Sequence, residues 1–246
     1  MRGLGWLNRV LAPLQLRLVA ASGRECRAAA TRIDGVIRGT PADDPTKLSV
    51  LVDDLAAIVP VRRYERILEV GPKFGDHSRY LATLDPRELV LLDLAREVDH
   101  GYVAALPCPT RLVFDNLLTT TDVAGPFDLI VCLGVLYHNV EPFRLLARLW
   151  DLAAPDAVLI LETTLTSLER RLDGADAVFE VRWRPGREGN YLLPSRCAVW
   201  TALAMTGWTD IRWYAAFRSI ENAMLLTCRR AADRPSSHLG APFGIP

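Results

Sequence analysis

The sequence predicts a doubly wound α/β domain, a seven-stranded and mostly parallel sheet with helices on both faces. Three observations carry this. Between residues 66 and 163, short apolar runs alternate with segments of helical periodicity. The runs are continuous rather than alternating with polar residues, which marks strands covered on both faces. Polar residues recur at the C-terminal end of each run, where an open α/β sheet gathers its ligand site.

Taken in order, residues 1–45 read as a helical preamble and linker. Leu4, Leu7, Leu11 and Leu14 fall at helical spacing, and "GTPADDP" at 39–45 has turn composition. That amphipathic segment predicts packing on the domain, peripheral contact with a membrane, or docking to a partner. It is too interrupted by Asn8, Arg9, Gln15 and Arg17 to be a signal peptide or to span a bilayer.

The domain proper is expected over 46–230. Residues 46–58 read as a helix, with Leu48, Leu51, Val52, Leu55 and Ile58 on one face. "RILEV" (66–70), "LVLLDL" (89–94), "RLVFD" (111–115), "FDLIVCLGVL" (127–136) and "AVLILET" (157–163) contain five strands. Helices are expected over 75–84 and over 141–153, the latter with Pro142 in its first turn, where proline is tolerated. Residues 164–193 are charged and irregular, and predict a lid or substrate-side insert. A helix over 194–206 and strands at 209–214 and 222–230 close the domain, and 231–246 reads as a flexible tail.

Composition narrows the function. Half of the 246 residues are hydrophobic and 24% are charged, ordinary for a globular chain. Twenty-nine basic residues balance twenty-nine acidic ones, which does not favour nucleic acid. The five cysteines are scattered without metal-ligand spacing, so no metal site is expected and the usage fits a reducing cytoplasm. Cys132, in an apolar run, reads as a small core hydrophobe.

The strand ends supply the candidate site. The first ends at Glu69, followed by Gly71 and Gly75, a spacing close to that of turns that cradle nucleotide cofactors. Asp93 stands 22 residues after Gly71, placed to hold ribose hydroxyls through its two oxygens. Asp115 with Asn116 is placed to meet an adenine or ribose edge. Gly134, Tyr137 and His138 follow the fourth strand, and Glu162 ends the fifth. Taken singly, an acid ending a strand is as often a turn residue or a helix cap; the ordered series is the signal.

This order, together with "FDLIVCLGVLYH", resembles the class I S-adenosylmethionine-dependent methyltransferases over roughly residues 46–230. "GVLYHNVEPFRLLARL" (134–149), "LILET" (159–163), "NYLLPSRCAVWTALAMTGWTDIRW" (190–213) and His77 resemble the tRNA wobble-uridine carboxymethyltransferase branch. The resemblance implies a Rossmann-like fold and S-adenosyl-L-methionine as cofactor. It implies that Glu69, Gly71 and Gly75 contact the amino-acid part and ribose, that Asp93 takes the ribose hydroxyls with Leu94 beside it, and that Asp115 with Asn116 meets the adenine. It implies that Leu133 and Gly134 pass beneath the methionine moiety, and that Tyr137 and His138 face the acceptor. Lys73 stands where the family carries a second glycine, so its side chain either points away or pairs with the cofactor carboxylate.

The large N-terminal extension of the tRNA enzymes has no counterpart in residues 1–45, and the chain is neutral. The expected acceptor is therefore a small molecule. "GWLNRVLAPLQLRLV" (5–19) resembles N-terminal segments of bacterial methyltransferases of polysaccharide or natural-product synthesis, which points to a sugar or specialised metabolite. Methyl transfer from a sulfonium is an in-line displacement, and histidine changes charge near neutral pH. His138 is therefore the candidate base for a hydroxyl acceptor, the plain alternative being a helix cap. Arg170, Arg171, Arg182, Arg184 and Arg187, with Trp183 and Tyr191, predict a grip on an anionic or sugar acceptor, or simply a solvated loop. Three other readings stand beside this one: a tRNA-modifying enzyme, a non-catalytic relative, and an NAD-dependent oxidoreductase.

Overall fold

Strand β3 (Arg66–Val70) lies near the middle of the sheet because four of its five residues are buried. It pairs in parallel with β4 (Glu88–Asp93) on one side and with β6 (Phe127–Leu133) on the other. The structure, a computed structural model, describes residues 15–18, 33–37, 50–96, 100–166, 177–182, 192–216 and 223–233. The main sheet adds β5 (Thr110–Phe114) beyond β4, and β7 (Ala153–Thr164) beyond β6, both parallel. Then β11 (Ala223–Arg230) and β10 (Trp208–Ala216) attach as antiparallel strands. The chain thus steps outward from β3 to β4 and β5, returns to the other side of β3, and steps outward again. The reversal lies between β3 and β6.

The doubly wound, mostly parallel sheet holds, with one addition. A short strand β2 (Gly35–Ile37) extends it to eight by pairing in parallel with the end of β10. Asp34 anchors that strand: its amide donates to the Trp213 carbonyl at 2.8 Å, and its carboxylate accepts the Trp213 amide at 3.0 Å. The expectation of a helical preamble is corrected where the chain is described. Residues 15–18 and 35–37 are strands, and the leucine-bearing helix at 4–14 lies outside the described residues.

Alternate residues of each strand bury on opposite faces, as sheet geometry requires. Ile67, Leu89, Leu91, Leu129 and Val131 pack beneath α1 (Val52–Ile58) and α2 (Asp76–Thr83). Leu68, Leu92, Ile130 and Cys132 pack on the other face, with Leu145, Leu146 and Leu149 of α3 (Pro142–Leu152) and Val199 and Leu203 of α4 (Arg196–Met205). The first helix begins at Val52, later than the periodicity predicts, and residues 46–49 lie outside the described set. Pro142 opens α3 as expected, and the Ser195 hydroxyl caps α4 by accepting the Ala198 amide at 3.1 Å. Trp208 is core, its indole N–H donating to the Leu146 carbonyl at 3.0 Å.

The segment read as irregular from 164 to 193 is not wholly so. Residues β8 (Ala177–Val181) and β9 (Leu192–Pro194) form a separate antiparallel sheet with β1 (Gln15–Leu18), in which Gln15 stands opposite Glu180. Arg182 pairs with the buried Glu180 at 2.8 Å while its side chain stays partly exposed. Arg170, Arg171, Trp183, Arg184, Arg187 and Tyr191 lie outside the described residues. Of the cysteines, Cys132 is a buried free thiol as expected, held protonated by burial first and then by the Glu162 charge, which push it up to about 12. Cys197 is disulfide-bonded, a pairing the scattered spacing does not reveal, and this corrects the expectation of cysteines kept reduced, because a disulfide persists in an oxidising environment. No helix among the described residues is long and apolar enough to cross a membrane.

Ile130 is fully buried at the centre of β6. Ile130→Ala is expected to lower the unfolding free energy by about 2–5 kcal/mol. Val61→Ser, at a fully exposed side chain, is expected to change it by less than about 0.5 kcal/mol. Urea denaturation of the two variants checks both values.

Candidate cofactor and acceptor site

The turn leaving β3 and the loop leaving β6 meet at the point where the strand order reverses. Gly71 ends β3 with φ +75°, and its amide donates to the Leu92 carbonyl at 2.9 Å. A Cβ at Gly71 would stand 2.8 Å from Val135 Cγ2, so the two loops close over each other only because that atom is missing. Gly134, with φ +71°, makes the matching turn. Crevices of this kind, outside the carboxyl ends of parallel strands at a topological switch point, are where such sheets bind ligands.

Gly75 opens α2 with φ +80°, and a Cβ there would lie 2.2 Å from the Tyr102 ring. Between the two glycines Lys73 also takes a left-handed backbone, with φ +48°. Its residue type is costly there, yet the position is usable because the side chain leaves the turn. The ammonium sits 5.2 Å from the Phe74 ring centroid, and both side chains are exposed. The Lys73 amide turns the other way and donates to Asp93 Oδ2 at 3.2 Å. The Lys73 side chain is thus at the surface, against Phe74.

The two acids divide. Glu69 is 3% exposed and is turned under α2, accepting the Ser78 hydroxyl at 2.6 Å. Burial pushes its carboxyl up to about 7, with the Asp93 charge adding to the shift and the Ser78 hydrogen bond opposing it. Asp93, at the end of β4, keeps 9% exposure, and its Oδ1 accepts the Ala95 amide at 2.9 Å. Asp115 is adjacent, its amide donating to the Asp93 carbonyl at 3.1 Å. Hydrogen bonds from the Thr120 hydroxyl and the Asn116 amide hold the Asp115 carboxyl below its ordinary value. Asn116 Oδ1 accepts the Leu118 amide at 2.9 Å and shapes the turn after β5. Leu94 is 69% exposed beside Asp93, an apolar surface at the rim.

On the other side of the crevice, Leu133 ends β6 opposite Glu162 of β7. Leu136–His138 form a single 3₁₀ turn, in which the Tyr137 and His138 rings meet tilted at 44°, with centroids 4.4 Å apart. His138 is exposed, and its amide donates to the Val135 carbonyl at 3.0 Å. The helix behind it starts from Glu141, whose amide donates to Asn139 Oδ1 at 2.7 Å. His77, matched by resemblance alone, is structural: its Nε2 lies 2.8 Å from the Val50 carbonyl, and burial lowers its pKa.

Three residues at the site escape a reading of strand ends: Ser78, His100 and Tyr102. His100 and Tyr102 come from the loop after β4, where neither periodicity nor motif marks them. The only available signal is that "DHGY" at 99–102 follows Asp93 closely enough to fold back on it.

The Glu69 carboxyl gives a pH test. Its folded-state pKa lies above the ordinary 4.5, so the folded protein holds the proton more tightly than the unfolded chain. The associated stability is fully present below pH 4.5 and is lost as pH rises through about 7, a change of about 3 kcal/mol. Glu69→Gln, which stays neutral, is expected to gain on the wild type progressively from pH 5 to pH 8. Parallel melting profiles for the two proteins would remove this assignment.

Known proteins show what the chain resembles as a whole. The pattern of a family described as "Methyltransferase domain" matches residues 41–209. The tRNA U34 carboxymethyltransferase of Desulforapulum autotrophicum is 27% identical over 150 residues, 55% of this chain and 42% of that protein. The trans-aconitate 2-methyltransferase of Deinococcus radiodurans is 32% identical over 111 residues, 44% of this chain and 42% of that protein. The chain spans less than half the length of the curated relatives it matches. Among solved structures, the N-terminal domain of EvdMO1 with SAH bound superimposes with a TM-score of 0.60 at 21% identity, covering 85% of this chain and 97% of that one. The fold is therefore that of S-adenosylmethionine-dependent methyltransferases. With its sheet order, its glycine turn and a family pattern running through 41–209, this chain belongs to the methyltransferase-domain family.

Proposed function

We propose that the protein transfers a methyl group from S-adenosylmethionine to a small-molecule acceptor, a sugar or specialised metabolite. The observation that carries the reading is the closure of the Gly71 turn against Val135 at the strand-order reversal, with Asp93 on the neighbouring strand end. That is a crevice whose floor is backbone and whose side wall is a carboxylate, suited to a nucleoside carrying an amino-acid chain. The methyl donor is S-adenosylmethionine, whose sulfonium supplies an already activated methyl.

The chain's residues then bind, align and exclude water. Asp93 accepts the ribose hydroxyls, and Leu94, Asp115 and Asn116 border the adenine. Gly71, Gly75, Leu133 and Gly134 let backbone pass close to the amino-acid portion, with Glu69 supporting the turn from beneath through Ser78. Lys73 lies outside the crevice and gives the cofactor carboxylate only its backbone side. His138, exposed beside Tyr137 at the acceptor end, takes the proton from an acceptor hydroxyl, and Tyr137 orients that hydroxyl. The balanced charge is in keeping with a small acceptor rather than a polyanion.

A second reading is tRNA modification, favoured by the two relatives named tRNA U34 carboxymethyltransferase. Equal numbers of acidic and basic residues weigh against it, because phosphate-backbone affinity needs a cationic surface.

Isothermal titration with S-adenosylmethionine is expected to show binding below millimolar concentration. Asp93→Ala is expected to weaken it on the order of tenfold or more, the value of hydrogen bonds to a charged group. His138→Ala is expected to leave cofactor affinity unchanged and to slow turnover on a hydroxyl acceptor about 10²–10⁴-fold. No cofactor binding by the wild type would overturn the reading, and full activity of His138→Ala would remove the base assignment alone.

A further inference from the structure

The loop after β4 folds back so that two of its side chains reach the two acids beneath the crevice. His100 Nε2 lies 3.4 Å from Asp93 Oδ2. Tyr102 lies over Gly75, and its hydroxyl stands 3.5 Å from Ser78 Oγ, the donor to Glu69. The His100 ring is set edge-on against Phe114 at 5.0 Å and tilted against Tyr102 at 6.1 Å.

Two roles for His100 are conceivable, and burial separates them. An imidazole occupying the open ribose crevice would be solvated when no cofactor is bound. The His100 side chain is only 5% exposed, less than the 10% of the Asp93 side chain it meets. The imidazole therefore stands behind the carboxylate, and Asp93 shows its remaining edge to the crevice. A carboxylate offers about four lone-pair sites. Ala95 takes one on Oδ1, while the Lys73 amide and His100 approach Oδ2. The carboxylate accepts, so the ring nitrogen facing it carries the hydrogen. Donors on both oxygens fix the plane of the carboxylate before any ligand arrives, which reduces the ordering cost of binding.

We infer that His100 is a positioning residue for the cofactor: it holds Asp93 in the orientation that receives the ribose hydroxyls. This rests on the methyltransferase reading. It predicts a defect confined to the ribose hydroxyls rather than spread over the whole ligand.

The test is isothermal titration of the full chain with S-adenosylhomocysteine and with its 2′,3′-dideoxy analogue, alongside melting temperatures. His100→Phe keeps a ring against Phe114 and Tyr102 but has no donor. It is expected to bind S-adenosylhomocysteine on the order of tenfold more weakly and the dideoxy analogue within about twofold of the wild type. His100→Gln places an amide near the position of Nε2 and is expected to restore affinity for both. Should the phenylalanine variant not fold, His100→Asn, whose amide falls short of Asp93, is expected to show the same split. Equal losses for the two ligands, no loss, tighter binding, or a glutamine variant as defective as the others would each overturn the proposal. Wild-type protein that binds neither ligand would remove the methyltransferase reading and this inference with it; normal wild-type binding with an unaffected His100→Phe removes this inference only.

Discussion

The site depends on a steric constraint, the missing Cβ atoms at two left-handed glycines. At Gly71 the space a Cβ would need is held by Val135, and at Gly75 it is held by Tyr102. The first omission brings the loops of β3 and β6 together where the strand order reverses. The second lets the loop after β4 lie on the start of α2. A side chain at either position would part the elements from which the crevice is assembled. Lys73 shows the complementary case: a backbone that favours glycine can be occupied by lysine when its ammonium has somewhere else to go, here the face of Phe74.

Electrostatics then separates two acids that look equivalent in sequence. Glu69 ends its strand on the face covered by α2, so it loses water and takes a hydroxyl donor from the helix. Asp93 ends the neighbouring strand at the rim and is surrounded by donors, two of them backbone amides. The first acid is a strut whose ionisation strains the fold, and the second is a preorganised acceptor. The strand-end pattern marks both positions but carries no sign of that difference in burial.

The sheet was legible because its strands are covered on both faces, and their continuous apolar runs stand apart from solvated loops; "RILEV" and "FDLIVCL" map onto β3 and β6. Acids and glycines at strand ends were legible for the same reason, since the strands set their positions. The small sheet was not. Its strands are four, five and three residues long, and its partners are far apart in the chain, with Gln15 opposite Glu180. No local pattern encodes such a pairing. His100 and Tyr102 were hidden for a related reason: their places depend on a loop folding back, which follows from the shape of Gly75 and Phe114 rather than from any periodicity.

Strand β2 gives the sheet a property beyond the site. An outermost strand presents a row of unsatisfied amides and carbonyls, an invitation to pair with another chain. At the β10 end, Gly35–Ile37 takes up that row along Tyr214–Ala216, and Asp34 pins the seam at Trp213. The segment thus acts as a short hem: it moves the edge one strand outward along the last three residues of β10 and stitches an early part of the chain to the end of the sheet remote from β5.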